Sequence, residues 1–115
     1  MGLDAPIIEQ TFTLNSMSNI FVTADILVED RDKTNLHTEV ILKIDGITQQ
    51  RSLVIHPFIN TFLVHNLSWS GSLGAGVHTI TVATSDRADI LLADLHCPDI
   101  VDVGWCHMNT IIFEQ

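Results

Sequence analysis

Hydrophobic and polar residues alternate with a period of two along most of the chain. The apolar positions are held by Ile, Val, Thr and Phe, side chains that pack well on a pleated surface. The alternation predicts eight strands: Ile7 to Leu14, Asn19 to Glu29, Leu36 to Asp45, Ile47 to Ile55, Phe58 to Ser68, Val77 to Thr84, Ala88 to Leu95 and Cys106 to Glu114. Turn-forming residues separate them. Asp45-Gly46 is the sharpest signal, a two-residue hairpin turn between two β-rich runs. Asn15 to Ser18, Glu29 to Asn35, His56-Pro57 and Gly71 to Gly76 close the others, and only Ile90 to Leu92 could open a short helix. No repeat and no low-complexity linker divides the chain.

Eight antiparallel strands in 115 residues fit one all-β domain built as a two-sheet sandwich, with residues 1–6 as a short N-terminal arm and 7–115 as the sandwich. An immunoglobulin-like sandwich wants two cysteines bridging the sheets around a central Trp. Cys97 and Cys106 stand too close together and too late for that, so the expected architecture is an eight-stranded antiparallel jelly roll.

The second faces of the strands carry the functional hint. In the second strand Ile20, Val22, Ala24, Ile26 and Val28 form a core face. In the third, Val40, Leu42 and Ile44 alternate with polar residues, yet Ile41 falls on the polar side. In the fifth, Phe58, Phe62 and Val64 share one face while Ile59, Leu63, Leu67 and Trp69 share the other. Apolar residues on both sides of a sandwich strand require a second covering surface, and another copy of the same chain is the economical one. Coverage by the chain's own loops, 71–76 or 96–105, is the competing explanation.

Fourteen acidic residues against five basic ones give a formal net charge of −9, which opposes binding to nucleic acid and to anionic membranes. The longest apolar runs fall far short of the roughly 20 residues of a membrane-spanning helix. The N-terminal residues MGLDAPIIEQ show no signal peptide, so synthesis in the cytoplasm is expected.

The stretch from Val40 to Glu114 carries a further pattern: VILKIDG, a long β segment, LGAGVHTITVAT, and a final MNTIIFE. It resembles the compact jelly-roll domains of the tumour-necrosis-factor and C1q-like type found in bacteriophage virion proteins and bacterial surface proteins. The resemblance implies that Gly74, Ala75, Gly76, His78, Thr79 and Ile80 define the fold and that Ile111, Ile112 and Phe113 lie near a trimer core. It further implies a non-enzymatic virion structural protein on the capsid surface. The first form of this is a trimeric capsid decoration, or cement, protein bound to the major capsid protein. The alternative is the receptor- or glycan-binding head of a phage fibre or bacterial adhesin. The chain opens without a stalk, which favours decoration. Ile41, Phe58, Phe62, Ile111 and Phe113 are then the trimer-interface candidates. Met1, Gly2, Leu3, Asp4, Ala5 and Pro6 are the partner-binding candidates, free to reach along a capsid.

Candidate chemistry is sparse, and no catalytic, cofactor or metal residues are assigned. His96-Cys97 and Cys106-His107 could supply four zinc ligands, but neighbouring residues on a strand point to opposite faces. A Cys97–Cys106 disulfide and two ordinary buried thiols are the other readings, and the thiols are favoured. Asp86, Asp89, Asp94, Asp99 and Asp102 are dense enough to suggest calcium, although solvated loop carboxylates explain them as well. The G-x-S-x-G nucleophile pattern is absent, and none of the six histidines has cupin spacing. Six histidines against five Lys and Arg make assembly a candidate for acid sensitivity. Trp69 and Trp105 are the aromatic candidates for a glycan platform.

Overall fold

The computed structural model describes residues 3–30, 36–58, 61–87, 94–95 and 106–114. The strands are β1 (Pro6–Leu14), β2 (Ser18–Asp30), β3 (Leu36–Ile44), β4 (Ile47–His56), β5 (Thr61–Leu73), β6 (Gly76–Thr84), β7 (Asp94–Leu95) and β8 (Cys106–Glu114). Seven of these are nine residues or longer. Of the expected seventh strand, Asp94 and Leu95 are described and form β7; residues 88–93 lie outside the described residues. Among the described residues no helix is present, and none is long and apolar enough to cross a membrane.

The strands form two antiparallel sheets. Sheet A has the order β1-β6-β3-β4. Sheet B has β5 on one side of β2, with β8 and β7 on the other: β8 runs along Ser18 to Ile26, and β7 follows end-on at Val28 and Glu29. Only β3 and β4 are neighbours in both sequence and sheet, joined by Asp45-Gly46. Both turn residues take positive φ, 52° and 82°, which matches the right-handed twist of the flanking strands. From β1 to β7 the other consecutive strands alternate between the sheets, and β7 and β8 both lie along β2.

The core lies between the sheets and follows the period of two. Ile20, Val22, Ala24, Ile26 and Val28 of β2 face Val40, Leu42 and Ile44 of β3 and Ile80 and Val82 of β6, all of them buried. The boundary of β5 differs most from the expected one. The strand starts at Thr61 and continues through Ser70, Gly71 and Ser72 to Leu73, although that stretch has turn-like composition. The reason is lateral pairing: Ser70, Gly71 and Ser72 sit opposite Phe21, Ile20 and Asn19 of β2. The Trp69 indole lies over Gly71, where a Cβ would stand 2.5 Å from Trp69 Cζ2.

Candidate interaction face

Strand alternation sends Phe21, Thr23, Asp25 and Leu27 of β2 to the outer side of sheet B, because their neighbours Ile20 to Val28 fill the core. Phe62 and Val64 of β5 and Ile111 and Phe113 of β8 come to the same side. The register sets Phe21 directly opposite Ile111 and Asn19 opposite Phe113 on one flank, and Leu27 opposite Val64 on the other. The result is an outer face with two apolar ends and a polar middle. Phe21 is 44% exposed, Ile111 50%, Phe113 61% and Phe62 48%. A shallow groove of about 310 Å³ runs between Phe21 and Phe113, edged by Asn19, Ser70 and Ser72. A second, of about 560 Å³, runs over Asp25, Leu27, Val64, Asn66 and His107. His107 Nε2 stands 3.7 Å from Asp25 Oδ2 in that polar middle.

The five interface candidates divide. Ile111, Phe113 and Phe62 share the outer face of sheet B, and Phe58 is exposed just before β5. Ile41 is a correction: it is 0% exposed within a single chain and is not available to a second copy. It does lie on the outer side of β3, between Glu39 and Lys43, as the alternation requires. What alternation cannot show is that this part of the sheet is covered.

Beside Ile41 the outer side of sheet A is bound up by an ionic cluster. Glu39, fully buried, accepts hydrogen bonds from Ser85 Oγ at 2.7 Å, from Arg51 at 3.1 Å and from the Arg87 guanidinium. Arg51 also forms a two-pronged pair with Asp86, at 2.8 and 3.1 Å. Burial by itself would raise the Glu39 carboxyl. The Ser85 and Arg87 hydrogen bonds and the charges of Arg87 and Arg51 outweigh it and hold the group below its usual range.

The N-terminal residues are a second correction. Met1 and Gly2 lie outside the described residues, and Leu3 is exposed. Asp4 to Pro6, however, do not form a free arm. The Asp4 N–H donates to Ser85 O at 3.0 Å, the Ala5 N–H to Thr84 Oγ1 at 2.7 Å, and the Thr84 N–H to Ala5 O at 2.9 Å. Lys43 pairs with the Asp4 carboxylate at 2.5 Å, and Pro6 already belongs to β1. Pairing satisfies backbone groups that would otherwise remain open along the end of β6.

The cysteine expectation is also revised. Cys106 is disulfide-bonded and no described cysteine is free, so ordinary thiols are excluded for it; Cys97, the only other cysteine in the sequence, lies outside the described residues. His96, Asp89, Asp99, Asp102 and Trp105 lie outside them too. Among the described residues no group of three His, Cys, Asp or Glu side chains is placed to hold a metal ion. Trp69 is half-buried against the core rather than displayed as a platform.

Sequence reading missed the polar contents of the core. Thr38, His56 and His65 are each fully buried, and Thr38 hydrogen-bonds both histidines, His56 within sheet A and His65 across to sheet B. The available signal was His65 on the same side of β5 as Leu63 and Leu67. No family model matches this chain, and no curated protein proves similar to it.

Proposed function

We propose that this protein is a non-enzymatic structural subunit of a virion, a trimeric capsid decoration protein that binds the major capsid protein on the outside of the head. The observation that carries the reading is the outer face of sheet B, where Phe21, Ile111 and Phe113 stand together, exposed. An apolar cluster of this kind on a chain of net charge −9 is suited to contact with a surface that brings little charge of its own, such as the same face of another copy.

Two further features agree with it. Among the described residues the strand order agrees with a jelly roll: β1-β6-β3-β4 in sheet A, and β5, β2 and β8 with the short β7 in sheet B, so that consecutive strands mostly alternate between the two sheets. The disulfide at Cys106 suits a protein that works outside the reducing cytosol, and a particle surface is such a place.

Light scattering coupled to size exclusion tests the reading. A mass near three times 12.8 kDa is expected for the native chain, and near 12.8 kDa for the double variant Ile111→Lys, Phe113→Lys with an unchanged circular-dichroism spectrum. A native monomer at every concentration would overturn self-association. It would shift the assignment to the receptor- or glycan-binding head, for which the Phe21–Phe113 groove with its Asn19, Ser70 and Ser72 edges is the place to look.

A further inference from the structure

Four polar side chains form a continuous path inside the core. Thr38 of β3 and Ser52 and His56 of β4 enter it from sheet A, and His65 of β5 enters it from sheet B. Thr38 Oγ1 lies 3.1 Å from His56 Nε2 and 2.9 Å from His65 Nε2, and His65 Nδ1 lies 2.9 Å from Ser52 Oγ. Every link of the path joins β3, β4 and β5, so it ties the two sheets together at this end of the sandwich.

The hydrogen count of the path restricts its protonation. Thr38 has one hydroxyl proton. With both imidazoles neutral, it donates to one Nε2 and accepts the N–H of the other, and all links are made. One added proton can still be accommodated, because the hydroxyl can turn to donate the other way. Two cannot. Both Nε2 atoms would then carry N–H groups aimed at one oxygen, and two positive charges would face each other within about 6 Å in a buried site.

Among the described residues the nearest acid is Glu39 of β3, which points to the opposite side of the strand, where it is engaged by Arg87, Arg51 and Ser85; its charge favours a proton on His65, but less than burial disfavours it. On β4 the charged neighbour is Arg51, on the outer side. β2 presents Ala24, Ile26 and Val28 to the core, none of which titrates.

We propose that the Thr38–His56–His65–Ser52 path is an acid-operated latch between the sheets: closed at neutral pH, and released on acidification so that the β3–β4 hairpin separates from β5. The proton affinity of His65 agrees in direction and size, since burial lowers it from 6.5 to about 4. The released chain binds the proton near pH 6.5 and the latched one only near 4. Stability conferred by the neutral latch is therefore complete above 6.5 and is lost progressively as the pH falls towards 4. The latch belongs to the single chain and does not depend on oligomerisation.

The test is the unfolding equilibrium of the native chain in urea at pH 7 and pH 5, alongside His65→Leu. Proton linkage at His65 alone raises the native unfolding constant about 20-fold between the two pH values. His65→Leu removes that part of the pH dependence, whatever its own stability. Comparing the two proteins cancels His78, which works in the opposite sense, and at pH 5 Glu39 still holds its charge. Should the variant fail to fold, histidine NMR and amide exchange of the native chain decide. Support requires His65 to stay neutral down to pH 5 and the β4 and β5 amides to lose protection on acidification before those of β1 and β6. Titration of His65 near 6.5, a pH dependence equal in both proteins, or uniform loss of protection would overturn the proposal.

Discussion

Asp45 performs two tasks at one turn. Its backbone takes a positive φ, a conformation that Asp adopts more readily than most residues other than Gly. That carboxylate accepts the Thr79 N–H at 2.8 Å through Oδ1 and the His78 Nδ1–H at 2.7 Å through Oδ2, fastening the β3–β4 turn to the start of β6. His78 Nε2–H donates at the same time to Gly74 O at 2.7 Å. With both ring nitrogens facing acceptors the imidazolium is the favoured form, and its proton affinity rises, first through Asp45 and then through Gly74. Stabilisation from this contact is complete below pH 6.5 and fades as the pH climbs through the raised value. Asp45→Asn keeps the turn conformation and removes the charge. The His78 titration followed by NMR is expected to move down towards 6.5 in that variant; a midpoint unchanged from the native protein would show that Asp45 does not hold the proton. The Gly-rich turn before His78 was legible in the sequence as a turn. Asp45, the partner of His78, was legible only as a turn residue, because the contact spans more than thirty positions of sequence.

At the scale of the element, β2 holds the most. It is the centre of sheet B, paired with β5 over its full length and with β8 over nine residues. Its inward side chains carry the middle of the core. Ile26→Ala is expected to cost about 2–5 kcal/mol, because a fully buried side chain is lost and the surrounding strands cannot collapse into the space. Ile47→Thr, on the exposed side of edge strand β4, is expected to stay within about 0.5 kcal/mol. Chemical denaturation measures both, and similar losses at the two positions would contradict this division of the core. The alternation of β2 and the hairpin of β3 and β4 could be read directly, since each depends on neighbours one or two residues away. The C-terminal end of β5 could not. Ser70-Gly71-Ser72 has the composition of a turn, and only its pairing with Asn19 to Phe21 makes it a strand. Gly71 is needed there for a reason no local pattern reveals: the indole of Trp69 occupies the place of its side chain.

For the whole molecule, the disulfide at Cys106 anchors the start of β8, where Cys106 pairs with Ile26 and packs against the core. Reduction is expected to destabilise the protein by about 2–5 kcal/mol, seen as a lower urea midpoint in dithiothreitol. An unchanged midpoint would mean that the sheet alone holds β8 in place. The sequence by itself determined the all-β class, the alternating core faces and the tight turn at Asp45-Gly46. These follow from side-chain period and turn chemistry, which act over a few residues. Tertiary structure decided the rest: that Ile41 is buried on the outer side of sheet A, that Asp4 and Ala5 are bound to β6, that Cys106 is bonded, and that two histidines meet at Thr38 inside the core. Each of these depends on which distant strands become neighbours. That choice is made by the packing of the two sheets as a unit, and no local stretch of sequence encodes it.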